Sequence, residues 1–277
     1  HKGSFFITAW LILGEIMKQR IALLVSAVLL MNGVTANAAN LAVFGQNNIG
    51  DFYSSIAGGS HTITYVNDSQ LATVGFLDGF DAFIYTRDGY SFGSGLSVDA
   101  AANVKSYVTG NVVLFNGDFQ DDIGVANTNL LFSNALAFVL GGAGKGYLGE
   151  YRGAFAAYAS NDDGNNPIGL INGHSGVSGY AEGGSNLDIN RTSYGDVHSI
   201  TAGVTFPYDP AAVEYGAQLS GENPAVVLAR FANGNAAIIA GGVDQISAPV
   251  PEADTYAMLL VGLGLLGAVV RRRNRIA

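Results

Sequence analysis

The chain has 277 residues, a formal net charge of −9 at neutral pH and no cysteine, and the last fact removes disulfides, thiolate nucleophiles and cysteine zinc sites together. Between Asn40 and Val250 there are 19 acidic residues against 6 basic ones, a net charge of −13 for that stretch. Such a surface repels nucleic acid and anionic lipid, so steering toward phosphate is excluded as its main function.

The first element is an export signal. Met17-Lys18-Gln19-Arg20 is a basic head, Ile21 to Met31 is apolar, and Ala36-Asn37-Ala38 supplies the small-x-small pattern of a signal-peptidase site. Cleavage there predicts a mature start at Ala39 or Asn40. The sequence opens with His1 rather than Met. Gly14-Glu15-Ile16, just before Met17, could be encoded by GGAGAAAT, a ribosome-binding sequence at a sensible distance from a start codon. Residues 1–16 are therefore expected to be an untranslated upstream segment and residues 17–38 a signal peptide.

Beyond it, short apolar runs alternate with helix-like segments. Leu41-Ala42-Val43-Phe44 reads as a strand ending at Gly45-Gln46-Asn47-Asn48, followed by a helix from about Ile49 to Ile56 closed by Gly58-Gly59. His61 to Val66 is β-branched and alternating, hence a strand. Asp81 to Thr86 is another, with Arg87-Asp88-Gly89 at its exit. Ser97 caps a helix from Val98 to Val108, stopped by Gly110. Asn111 to Phe115 is the most apolar strand, expected at the centre and leaving through Asn116-Gly117-Asp118; Thr128 opens a helix to about Leu140. Gly153 to Ser160, Pro224 to Phe231 and Ala236 to Ala240 are further strand candidates. This order predicts an α/β fold, a flavodoxin-like parallel sheet with flanking helices and an irregular β-rich extension. A signal helix precedes it and a hydrophobic helix follows. Parallel strands are buried on both faces, so the core is expected around Val43, Ile63, Ile84, Val113 and Leu114.

Ligands of open α/β sheets bind outside the carboxyl ends of the strands. The candidate crevice is accordingly Gly45, Asn47, Arg87, Asp88, Asn116 and Gly117. Asp88 and Asp118 could face each other across adjacent strand ends as a carboxylate pair, for acid/base work or a cation; such residues more often cap helices and turns. With Glu214 they are the weak catalytic candidates. Asn161-Asp162-Asp163-Gly164-Asn165 is oxygen-rich but lacks the alternating spacing and closing Glu of an EF-hand. Gly141-Gly142-Ala143-Gly144-Lys145-Gly146 lacks the gap and the Ser/Thr of a Walker phosphate loop. Gly173-His174-Ser175-Gly176 is not a nucleophile elbow, and His61, His174 and His198 have no paired spacing for a metal. Tyr85, Tyr90, Tyr147, Tyr151 and Tyr158 could offer stacking platforms for sugars, although at half-buried strand positions they more often pack. No motif calls for a metal or other cofactor.

The strand ending at Gly45, the Asp81-Ala82-Phe83-Ile84 strand with its polar exit, and His198-Ser199-Ile200-Thr201-Ala202-Gly203-Val204, with Phe206 and Val213-Glu214-Tyr215 after it, loosely resemble the class I glutamine amidotransferase-like superfamily. The trehalose-utilisation-protein-like branch is the nearest in pattern, over about residues 41–240. That resemblance implies a catalytic cysteine on a strained turn after a strand. The corresponding turn here is Phe115-Asn116-Gly117-Asp118. Asn tolerates positive φ and Gly relieves crowding, so the bend could persist. Asn is no nucleophile, and cysteine-based glutamine hydrolysis is excluded. The crevice would then be a vestigial site, kept as a structural corner or a binding surface.

The chain closes on Val250-Pro251-Glu252-Ala253-Asp254-Thr255-Tyr256, an apolar run to Val270, and Arg271-Arg272-Arg273-Asn274-Arg275. The run is shorter than the roughly 20 residues that comfortably span a bilayer, and the arginines read as a cytoplasmic stop. Polar signal, apolar stretch and basic stop, in this order, resemble a PEP-CTERM sorting domain. Ala253 departs from the second proline usual in that family. The resemblance implies a membrane exosortase as processing partner, in a Gram-negative bacterium that makes extracellular polysaccharide. Residues 39–249 are thus expected to be one exported domain and residues 250–277 a sorting tail. Signal peptidase and exosortase are the expected processing partners, with transient residence in the inner membrane and polysaccharide as the candidate ligand. Two functional readings follow: a non-catalytic surface or matrix protein, or an extracytoplasmic carbohydrate-active hydrolase using strand-end carboxylates.

Overall fold

A computed structural model describes residues 38–45, 47–56, 60–86, 95–117, 119–150, 168–178, 188–208 and 216–248. Strands β1 (Asn40–Phe44), β2 (Thr62–Tyr65), β3 (Ala82–Tyr85), β4 (Asn111–Phe115) and β5 (Gly146–Glu150) are joined by helices α1 (Asn47–Ser55), α2 (Asp68–Leu71), α3 (Val98–Tyr107) and α4 (Ala126–Leu140). Then come β6 (Gly173–Ser178), β7 (Ile189–Arg191), β8 (Gly216–Ser220), β9 (Val227–Phe231), β10 (Ala236–Gly242) and a short helix α5 (Val243–Ile246). Eight strands make one sheet in the order β2-β1-β3-β5-β4-β10-β9-β7, and β6 pairs with β8 in a separate ribbon.

The first five strands in that order run parallel. β10, β9 and β7 continue the sheet with antiparallel pairings. The mixed α/β architecture and the mostly parallel sheet are as expected. The detail differs from a flavodoxin-like order of 2-1-3-4-5, because β5 inserts between β3 and β4. Most of the β-rich second half is also no appendage, since three of its strands extend the main sheet. The signal and tail segments lie outside the described residues, as does the strand candidate at Gly153–Ser160. Among the described residues no helix is long and apolar enough to cross a membrane.

Alternate residues of a strand point to opposite faces, and the core divides accordingly. Ala42, Phe83, Leu114, Tyr147 and Ile239 face α2 and α3 through Leu71, Ala100 and Val104. Val43, Ile84, Val113, Leu148 and Ile238 face α1 and α4 through Ile49, Tyr53, Leu131, Phe132 and Leu136. Val43, Ile84, Val113 and Leu114 are buried as expected. Ile63 is only partly buried, because β2 is an edge strand with β1 as its one neighbour in the sheet.

Local chemistry explains the helix limits. Ser97 accepts a hydrogen bond from Ala100 N at 3.3 Å, and Asp99 and Lys105 sit at the ends that suit the helix dipole. α4 starts two residues before Thr128 and has no side-chain cap. The Thr128 hydroxyl is engaged instead with Tyr208 Oη at 2.6 Å.

Strand β5 was not expected from the sequence, because Gly146 and Gly149 interrupt its apolar run. Both glycines answer to packing rather than to a turn. A Cβ on Gly146 would overlap Val139 Cγ1 and lie 2.8 Å from Val139 O, and one on Gly149 would overlap the Tyr147 hydroxyl. Removing the side chains lets α4 and the Tyr147 ring lie against the strand backbone.

Candidate functional site

The carboxyl ends of β1, β3, β5 and β4 stand side by side, and the amino end of β10 follows. Gly45 closes β1 at φ +114, where a Cβ would overlap Thr86 O on the adjoining strand end. Only glycine combines that left-handed backbone with so close an approach. Thr86 is buried, and its backbone N donates to Phe44 O at 2.8 Å. β1 connects outward to β2, and the chain then returns past β1 to β3. The β1/β3 junction is therefore the switch point of the parallel half, where such sheets open a crevice.

Farther along this edge is a buried polar group. Glu150, the last residue of β5, is fully buried and accepts from Gln120 N at 2.8 Å. Gln120 and Asp122 belong to the 3-10 turn Phe119–Asp122 after β4 and are buried too. Tyr53 Oη donates to Phe132 O at 3.2 Å. Burial pushes the Tyr53 phenol well above its ordinary range, and the charge of Glu150 adds to this. Tyr208 is also raised, first by burial; its bond with Thr128 opposes the rise, while Asp122 and Glu150 reinforce it. Both phenols therefore stay protonated at neutral pH. Phe115, Phe119 and Phe132 wall the group, with ring centroids 5.1 Å apart for Phe115 and Phe119 and 4.9 Å for Phe115 and Phe132. Phe119 stacks on Tyr208 at 5.6 Å. Two carboxylates beside neutral phenols form an acidic, apolar-walled corner. Among the described residues no group of three or more His, Asp or Glu side chains is placed to hold a metal.

The residues singled out in the sequence are scattered with respect to this corner. Asn116 leaves β4 buried, with its backbone N bonded to Ala237 O at 2.8 Å and Nδ2 to Ala236 O at 2.6 Å. Its side chain thus continues the ladder between β4 and β10. Gly117 beside it is buried, and Asn47 opens α1. Arg87, Asp88, Asp118 and Glu214 lie outside the described residues. β5 separates β3 from β4, so the strands that lead toward Asp88 and Asp118 are not neighbours in the sheet. Crossover order is a non-local property that the local runs do not encode.

Other motifs find structural roles. Lys145 directs its ammonium to the carbonyl oxygens of Asp78 at 3.0 Å and Phe80 at 2.5 Å, so this lysine ties down the turn ahead of β3. His198 Nδ1 accepts from Ile200 N at 3.2 Å. Its ring meets Phe138 and Tyr194 edge-on at 4.9 and 5.1 Å, and burial lowers its pKa. Asn134 of α4 holds the same turn by donating to Ile200 O and Ala202 O, each at 3.0 Å. His61 stands at the head of β2, buried. Tyr85 and Tyr147 are buried core residues rather than sugar platforms, and Tyr90, Tyr151 and Tyr158 lie outside the described residues. Ser175 falls within strand β6, where no strand-to-helix turn could present a nucleophile.

Glu150, Gln120, Asp122, Tyr53 and Tyr208 were missed. The usable signal was Glu150, an acidic residue closing the Tyr147-Leu148 apolar pair, hidden because the strand itself went unseen.

Residues 249–273 match the family model of the PEP-CTERM protein-sorting motif. No curated protein and no solved structure matches the chain, so no match joins the domain to the amidotransferase-like superfamily. The motif is a sorting signal for exosortase-dependent export to the cell surface or the extracellular space.

Proposed function

We propose that the chain is the precursor of a non-catalytic surface or matrix protein associated with extracellular polysaccharide. Signal peptidase removes residues 17–38, exosortase acts at Pro251-Glu252-Ala253, and residues 39–249 are the working domain. The sorting motif at residues 249–273 carries the reading. The acidic, cysteine-free composition supports an exported domain held by packing alone. Asn116, at the turn where the amidotransferase-like pattern would carry its nucleophile, gives its amide to the backbone of β10, which favours a structural corner over a reaction centre.

The test is made in the producing cells. Glu252→Ala removes the acidic residue beside the recognition proline and should leave full-length precursor in the inner membrane, while wild-type protein reaches the surface without its Arg271–Arg273 cluster. Surface material that retains residues 256–277 would replace sorting by a simple membrane anchor. Incubating the mature domain with an array of bacterial polysaccharides reads the second half of the proposal: binding without cleavage is expected, and release of sugar would overturn it.

A further inference from the structure

The amino ends of β1 and β3 meet where the mature chain begins. Asp81, just ahead of β3, accepts from Asn40 N at 2.8 Å through Oδ2. Its own backbone N donates to Asn40 O at 2.8 Å. Ala39 is buried and its carbonyl accepts from Thr62 N at 2.8 Å, whereas Ala38 is exposed. Successive backbone nitrogens of an extended chain lie about 3.5 Å apart, which puts Ala39 N within about 6 Å of the Asp81 carboxylate. The surroundings are acidic. The Tyr107 phenol is raised by burial and then by the charges of Asp81 and Asp78. The neighbouring cation, Lys145, is turned to the carbonyls of Asp78 and Phe80. His61, at the head of β2, has its pKa lowered by burial and adds no charge at neutral pH.

We propose that Asp81 is the receptor for the α-ammonium group created when the signal peptide is removed, so that maturation adds an ion pair at the mouth of β1. The inference rests on cleavage after Ala38. Water adds across the Ala38–Ala39 amide, leaving a carboxylate on Ala38 and an amine on Ala39 that is protonated at neutral pH. In the precursor the same nitrogen is an uncharged amide, and the pair does not exist. A cut one residue later would put the ammonium on Asn40 N, the atom already bonded to Asp81. The ion pair thereby adds, after export, to the backbone ladders that hold β1 between β2 and β3.

Protein recovered from the producing cells is weighed intact, and its α-amine is then titrated by pH-dependent acylation, native and in denaturant. Wild type is compared with Asp81→Asn, which keeps an acceptor for Asn40 N and removes the charge. An unperturbed α-amine titrates at about 7.7–8.0. An opposite charge close by favours the protonated form, so the native wild-type amine should react about fivefold more slowly at pH 7.5 than the denatured one. Asp81→Asn should abolish most of that difference, and Asp78→Asn only a small part. Because the native pKa is raised, the stabilisation is complete below about pH 8 and is lost as pH rises through the native value. N-terminal acetylation should therefore lower the melting temperature at pH 7 and leave it unchanged at pH 10.5. A start at a residue other than Ala39 or Asn40 would overturn the processing reading together with this one. The expected start with equal reactivity in wild type and Asp81→Asn would overturn the ion pair alone.

Discussion

The packing of α4 on β5 makes a quantitative test of the fold at Gly146. In Gly146→Ala the new Cβ would overlap Val139 Cγ1, with Val139 O at 2.8 Å and Val139 C at 3.3 Å. Two of those three atoms are helix backbone, and a valine in a helix has little χ1 freedom to swing its methyl away. The helix as a whole must move from the strand. Val139 and Leu148 belong to the core on that side of the sheet, so the movement also loosens contacts beyond the site. Overpacking of this kind costs about 1–3 kcal/mol. The same substitution stiffens the unfolded chain, which on its own stabilises by about 0.4–1 kcal/mol. The native clash is the larger effect, and a net loss of about 1–2 kcal/mol is expected. Urea unfolding of Gly146→Ala, Val139→Ala and the double variant measures it. Shortening Val139 removes the overlapping methyl, so the double variant should be more stable than the sum of the two single losses allows. A Gly146→Ala protein as stable as wild type, with no coupling to Val139→Ala, would refute the close approach and with it the account of why glycine stands in a central strand.

Two further outcomes follow from burial and charge. Val113 is fully buried between the strands flanking β4, and Val113→Asp should cost several kcal/mol as an unpaired buried charge; a small shift in the urea midpoint would contradict the two-sided core. Burial lowers the pKa of His198, so the unfolded chain takes up its proton first, and the stability present above about pH 6.5 should decline as pH falls toward the native value. His198→Asn, which keeps an acceptor for Ile200 N, should flatten that part of the pH profile, and an unchanged profile would show that His198 does not carry it.

Strands β1, β3 and β4 were legible because each is an uninterrupted apolar run with a polar or glycine exit, and β2 because it is β-branched and alternating. β5 was hidden by Gly146 and Gly149, whose role depends on Val139 and Tyr147 and not on their sequence neighbours. The placement of β5 between β3 and β4, and of β10 beside β4, follows from long-range pairing such as Val113 with Leu148 and Val113 with Ala240. Nothing local to either partner records it. β7 has only three residues, too few for a period to show. The buried corner was missed for another reason: Glu150 and Asp122 are residue types that sequence patterns assign to the surface. The tail was legible because an enzyme reads its linear order of polar signal, apolar run and basic cluster.

The last described residues separate the domain from that tail. Ile246 of α5 is fully buried, its carbonyl accepts from Asn223 N at 2.8 Å, and Ala248 N donates to Gly221 O at 2.7 Å. Ser247 Oγ donates to Leu170 O at 2.9 Å. Pro251 follows Ala248 by three residues, a reach of about 10 Å when extended. At most about 10 Å of chain therefore links the folded body to Pro251, and removal of the tail should leave the body intact. A chain of residues 39–250 is expected to unfold at the same urea concentration as one of residues 39–277 that keeps the tail. A chain ending at Gly242 loses α5 and the burial of Ile246, whose deletion to alanine alone would cost about 2–5 kcal/mol, and should unfold at markedly lower urea. If the Val250 chain were soluble only in detergent, or as unstable as the Gly242 chain, the tail would be part of the fold. Exosortase cleavage would then remove a structural element along with the sorting signal.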